Sequence, residues 1–207
     1  VEYELEITNN KEYFLHFRKL QSNSIVDYKN GEEDLIKGFW ANFEKKKPIL
    51  VTFNGRTFDI PVLRYRALKY NIQCDWFFNA GTKWDNNYKS KYCQDVNVDL
   101  LDSFSDFGSS ARIKMEEICA LLRIPCKLDA KGDGVIEMFD NNKIDDIKDY
   151  CETDVLATYL LYIKFLYHSG KMNLNALNKH YINLEEILMK NSKPKIQEFL
   201  LKWQKIK

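Results

Sequence analysis

Ile49-Leu50-Val51-Thr52-Phe53-Asn54-Gly55-Arg56-Thr57-Phe58-Asp59 is the stretch on which the fold reading turns. Its first five residues form a short, almost wholly apolar run. A strand of that composition is covered on both faces, as in an α/β sheet flanked by helices. Asn54 and Gly55 then turn the chain. Thr57 and Asp59 offer helix-capping oxygens, and Pro61 suits a first helical turn. The helix is predicted to run to about Tyr70, with Val62, Leu63, Ala67 and Leu68 apolar.

Upstream, Val1 to Ile7 alternates apolar and acidic residues, the mark of a strand with one wet face. Asn9 and Asn10 make a turn, and Tyr13 to Arg18 returns as a second strand. Ser24 to Tyr28 is a candidate third strand. Glu32 to Lys45 carries Leu35, Ile36, Phe39, Trp40 and Phe43 at helical spacing. Downstream, Asn71 to Asn97 is aromatic and irregular, and Val98 to Leu101 reads as a strand or a helix start. Lys114 to Leu122 reads as a helix stopped near Pro125, Lys127 to Gly134 as a loop, and Val135 to Phe139 as one helical turn. Ile144 to His168 is a long helix closed by Ser169 and Gly170. Two further helices split at Pro194. In the last, Ile196, Phe199, Leu200, Trp203 and Ile206 form a stripe suited to core or dimer packing.

The chain has 207 residues, 45% of them apolar and 14% aromatic, enough to bury a substantial core. Its 31 basic and 30 acidic side chains leave a net charge of +1, so nucleic-acid binding would need a local patch. The five cysteines form no CxxC pair, which suggests reduced thiols and a cytoplasmic setting. No apolar run approaches the roughly 20 residues that span a bilayer, and no signal-peptide pattern is present.

A second segment bears on chemistry, Asp149-Tyr150-Cys151-Glu152-Thr153-Asp154-Val155. Tyr150 and Asp154 are four residues apart on a predicted helix and share its face. Phosphodiester cleavage calls for two divalent cations about 3.5–4 Å apart, held by hard oxygen ligands from separate elements. Asp59 at a strand end and Asp154 on a helix qualify as such ligands, and the Tyr150 hydroxyl can orient water. Each also has a plain structural reading. Asp59 can be a helix cap, Asn54 a turn residue, Phe58 core, and Tyr150 with Asp154 a half-buried ring beside a solvated acid. Asp99 and Asp102 can assist the site or serve as caps and solvated acids. Trp76, Phe77, Phe78, Trp84, Tyr88 and Tyr92, interleaved with Lys83, Lys89 and Lys91, can stack on single strands or cover the sheet.

Taken together, Leu50 to Leu68 and Asp149 to Phe165 resemble the second and third motifs of the DEDDy-type 3′-5′ exonucleases. Within that group the chain is similar to the predicted exonucleases related to the proofreading domain of family B DNA polymerases. The resemblance runs from about Glu32 to Gly170 and includes Trp84–Tyr92, Val98–Asp102 and Gly132–Phe139. It implies a ribonuclease H-like fold, a mixed five-stranded sheet flanked by helices, here over residues 1–170 with a helical extension over 171–207. It implies Asp59 and Asp154 as ligands of two Mg2+ or Mn2+ ions and Tyr150 as the residue that positions the attacking water. Asn54 and Phe58 would contact the terminal nucleotides of single-stranded DNA or RNA 3′ ends.

The first motif of that family is Asp-x-Glu on an apolar strand, and no Asp-x-Glu precedes Asp59. Glu4-Leu5-Glu6 is the near match. Because the chain starts at Val1 rather than Met, the expectation is a lost upstream segment carrying that motif, with the Glu4/Glu6 substitution as the other reading. A fragment without it would bind metal poorly and cleave weakly or not at all. The functional expectation is a 3′-5′ exonuclease, and the alternative is an impaired nucleic-acid-binding or scaffold domain.

Overall fold

The computed structural model describes residues 31–82, 85–126 and 134–207, together with the backbone of two strands, Glu2–Ile7 (β1) and Tyr13–Lys19 (β2). The chain divides into two compact units. One is Asn23–Ile113; the other joins Val1–Ser22 to Lys114–Lys207.

In the first unit α1 (Glu32–Lys46) opens with three acids, Glu32, Glu33 and Asp34, and closes with Lys45 and Lys46, charges that complement the helix dipole. It buries Ile36, Trp40 and Phe43. Strand β3 (Leu50–Thr52) leads through a turn into α2 (Asp59–Lys69), which buries Ile60 and Ala67. A short helix α3 (Asp75–Asn79) adds Phe77, and Tyr88 completes the cluster. The rings meet edge to face, Trp40 with Phe77 at 5.4 Å and Phe43 with Tyr88 at 5.3 Å between centroids. The buried Tyr88 hydroxyl donates to the Pro48 carbonyl at 2.7 Å. Phe77 and Tyr88 therefore act as core rather than as a stacking surface, while Phe78 and Tyr92 remain exposed. Lys83 and Trp84 lie outside the described residues.

Strand β4 (Asn97–Asp99) pairs parallel with β3, Leu50 with Asn97, Val51 with Val98 and Thr52 with Asp99. This register sets Asp99 beside the end of β3. At Asp99 the chain turns into α4 (Leu100–Phe104), with the Asp99 side chain accepting from the Leu101 amide.

The mixed five-stranded ribonuclease H-like sheet is corrected here. The described residues are mostly helical, with one two-stranded parallel sheet and a separate antiparallel hairpin of β1 and β2. The strands are short for local reasons. Asn54 takes a left-handed conformation (φ 67°) just beyond β3, and the Asp99 cap ends β4 after three residues. Nor is β3 covered on both faces: Leu50, Val51 and Thr52 are only half-buried, whereas β4 is buried throughout. The candidate strand at residues 24–28 and the loop over 127–133 lie outside the described residues.

In the second unit α5 (Met115–Leu121) and α6 (Gly134–Asp140) precede α7 (Ile144–His168), whose bounds match the predicted helix. Helix α6 is longer than the single turn expected at that place. The tail forms α8 (Leu174–Met189), capped by the Asn173 side chain, and α9 (Pro194–Ile206), with Pro194 in its first turn. Leu156, Leu160 and Ile163 of α7 are buried, as are Leu184 and Leu188 of α8 and Ile196, Phe199, Leu200 and Trp203 of α9. The α9 stripe is thus core up to Trp203, while Ile206 is exposed. Two polar links accompany it: the Tyr159 hydroxyl lies 3.1 Å from His180 Nδ1, and the Lys193 ammonium bonds both Glu152 oxygens at 2.7 Å.

Candidate active site

The turn after β3 is held by hydrogen bonds from several directions. The Asn54 and Arg56 amides donate to the two oxygens of the Asp99 carboxylate, each at 2.9 Å. The Thr57 hydroxyl donates to Asn54 Oδ1 at 2.6 Å. Gly55 is buried between them, and a Cβ there would meet the Thr52 side chain at 2.5 Å, so no larger residue fits. Arg56 faces inward: its guanidinium donates to Asp102 at 3.1 Å and to the Ser90 and Asn97 carbonyls at 3.0 Å each.

Phe58 precedes α2, and Asp59 is its first residue. No side chain caps this helix, contrary to the capping expectation for Thr57 and Asp59, because the Thr57 hydroxyl is engaged by Asn54. Phe58 is 65% exposed, so its ring is not core. The Asp59 side chain is reachable by solvent. Its carboxyl is nevertheless pushed above the ordinary aspartate range, first by the protein packed around it. Its own backbone N–H works against that rise, and the charge on Asp99 adds to it.

Asp99 and Asp102 are both buried, at 2% and 6% exposure, which excludes the solvated reading of these acids. Sequence reasoning missed Asp99 as the partner of the turn and Arg56 as an internal donor. No spacing in the sequence reports that contact, which joins residues 43 and 45 positions apart.

In the second unit Tyr150 and Asp154 lie one turn apart on α7, close enough for the Asp154 charge to act on the Tyr150 hydroxyl, as the four-residue spacing anticipates. Burial is the main reason that the Tyr150 hydroxyl holds its proton above the ordinary phenol range, and the charge on Asp154 reinforces it. The Cys119 thiol is fully buried and interacts with Cys126. Its interaction with Cys126 and its burial disfavour the thiolate, with the charge on Asp154 a smaller contribution. Glu152, two residues before Asp154, turns instead to Lys193.

Asn54, Phe58 and Asp59 are thus brought together in the unit Asn23–Ile113, and Tyr150 and Asp154 in the other. The Glu4 and Glu6 backbones pair with His16 and Phe14 in the hairpin, and their side chains lie outside the described set. Among the described residues no three His, Cys, Asp or Glu side chains form a metal cage. The donors fit hard, oxygen-preferring cations all the same. Magnesium is commonly bound by one or two carboxylates, with water and substrate phosphates completing its shell. A reachable carboxylate whose ionisation is opposed chiefly by the protein packed around it, and further by the charge on Asp99, is one that a cation would relieve. No described helix is long and apolar enough to cross a membrane.

Comparison with known proteins gives a consistent result. The profile of a family described as predicted 3′-5′ exonucleases related to the exonuclease domain of PolB matches residues 7–203. The catalytic polypeptide of DNA polymerase epsilon from Schizosaccharomyces pombe is 26% identical over 165 residues, covering 78% of this chain and 7% of that protein. Its counterpart in Debaryomyces hansenii is 29% identical over 144 residues, covering 66% of this chain and 6% of that protein. DNA polymerase 1 of Sulfurisphaera ohwakuensis is 37% identical over 81 residues, covering 39% and 9% respectively. The chain therefore spans under a tenth of the length of these polymerases. No solved structure matches.

Proposed function

This chain belongs to the family of predicted 3′-5′ exonucleases related to the exonuclease domain of PolB, and from that premise we propose that it hydrolyses phosphodiester bonds from single-stranded 3′ ends, with DNA the favoured polymer. The observation that carries the reading is a family match spanning both the Asn54–Asp59 and Tyr150–Asp154 segments. The proximity of Tyr150 and Asp154 on one face of α7 supports it locally. DNA is favoured because the similar proteins are DNA polymerases.

In this DEDDy-type assignment Asp59 and Asp154 would hold Mg2+ or Mn2+. Such cations, when bound, supply activation of water and neutralise charge on the leaving oxygen. Tyr150 orients the attacking water through its hydroxyl. Phe58 offers an exposed ring on which the terminal base stacks. Asn54 presents its amide to the terminal nucleotide.

The test is incubation with 5′-labelled single-stranded DNA and Mg2+ or Mn2+. A ladder of products shortened from the 3′ end is expected, and Tyr150→Phe should slow it by about 100-fold. An unchanged rate in that variant removes Tyr150 from the mechanism. The second reading is an impaired nucleic-acid-binding or scaffold domain of the same family. Tight binding of single strands with no cleavage under either cation would establish that reading instead.

A further inference from the structure

We propose that Asp99 is a positioning residue for this reaction: it fixes the turn that presents Asn54 to the 3′-terminal nucleotide and starts the helix bearing Asp59. The inference rests on the exonuclease reading and adds to it a residue outside the two motifs.

The geometry is that of a clamp. One buried carboxylate, at the end of β4, accepts from the amides of Asn54 and Arg56 at 2.9 Å each and from Leu101 at 3.0 Å. The parallel register places its backbone beside Thr52, two residues before Asn54. The conformation it holds is a left-handed turn. Asn54 is left-handed at φ 67°, a conformation that Asn tolerates, and the Asp99 carboxylate holds its amide in place there. The Thr57 hydroxyl fixes the Asn54 side chain from the opposite side at 2.6 Å. Arg56 cannot serve as a phosphate hook, because its guanidinium is committed to Asp102, Ser90 and Asn97. Asp99 therefore holds the turn through its backbone amides, while the Arg56 charge is spent inside the fold. The exposed groups left on it are Phe58 and Asp59, with Asn54 half-buried at its start.

A carboxamide at this position would set an NH2 group either against the Arg56 amide or against the amides of Asn54 and Leu101. Asp99→Asn should therefore release the turn while keeping the side-chain volume. Displacement of a positioned group by about 1 Å costs roughly 100-fold in rate. The expected result is a fall of about 100-fold in kcat/KM, with far-UV circular dichroism unchanged. A non-kinetic readout accompanies it: binding of 5′-fluorescein-labelled oligothymidylate, followed by anisotropy in chelator, should weaken about 10-fold. Asp102→Asn loses the Arg56 ion pair but keeps the clamp, and it controls for simple loss of stability. The distinguishing measurement is a double-mutant cycle with Asn54→Ala. If Asp99 acts through Asn54, the binding losses of the two variants are strongly non-additive. Full additivity, or activity in Asp99→Asn equal to that in Asp102→Asn, overturns the proposal. The underlying reading fails in a different way: the unsubstituted protein, or Asp59→Asn beside it, would then show no difference in nuclease activity.

Discussion

Replacing Lys193 with methionine tests how the tail is anchored. Lys193 precedes α9 and places its ammonium 2.7 Å from both oxygens of Glu152 on α7. The Glu152 side chain is 4% exposed and the Lys193 side chain 44%. Removing one member of a fully buried ion pair costs about 3–5 kcal/mol, because the remaining charge stays desolvated. Here water already reaches the lysine side, and solvent screening of that half reduces the figure to about 2 kcal/mol. For a chain of this length that corresponds to a fall in Tm of about 4–8 °C. Denaturant titrations of Lys193→Met, Glu152→Gln and the double variant give the assay. The double variant should recover part of the loss, since no lone charge is left in a buried position. A Lys193→Met protein within about 0.5 kcal/mol of the parent would refute the reasoning. It would mean that the apolar stripe of α9 docks without help from the pair.

Phe43 touches the rings of Phe39, Trp40, Trp76, Phe77 and Tyr88, so Phe43→Ala should cost about 3–5 kcal/mol in a denaturant titration. The Arg66 guanidinium, with Tyr70 and Lys69 adding to it, holds the Glu32 carboxyl at about 2 against an ordinary 4.5. A lowered carboxylate contributes stability above its unfolded value and loses it as pH falls. Glu32→Gln should thus be less stable by under about 1 kcal/mol at pH 7, a difference that fades between about pH 4.5 and about pH 2 in thermal melts. Asp59 has the opposite sign, because its folded value lies above the ordinary 3.8. Its ionisation costs stability as pH rises, so Asp59→Asn should melt higher than the parent at pH 7 and converge with it in acid.

The amphipathic helices were legible because their apolar residues recur at 3.6-residue spacing. The α1 face of Ile36, Trp40 and Phe43 and the α9 stripe both follow it. Helix α7 was legible to its ends because Ser169 and Gly170 mark its close. The sheet was not legible. An apolar run specifies burial and extended backbone, but not how many partners a strand finds. The run from Ile49 to Phe53 became a three-residue strand with one parallel neighbour, cut short by the turn at Asn54. The Tyr150–Asp154 pair could be read directly, since four-residue spacing on a helix enforces proximity. The Asp99 clamp joins residues 43 and 45 positions apart, and no periodicity reports such a contact. Spacing cannot tell a solvated acid from one buried against backbone amides, which is why Asp99 and Asp102 were left open.

The most direct test of the central claim follows 5′-labelled single-stranded DNA in Mg2+ or Mn2+ with the parent protein and with Asp154→Ala. The account predicts stepwise shortening from the 3′ end by the parent and none by the variant. Equal shortening by both proteins would contradict it.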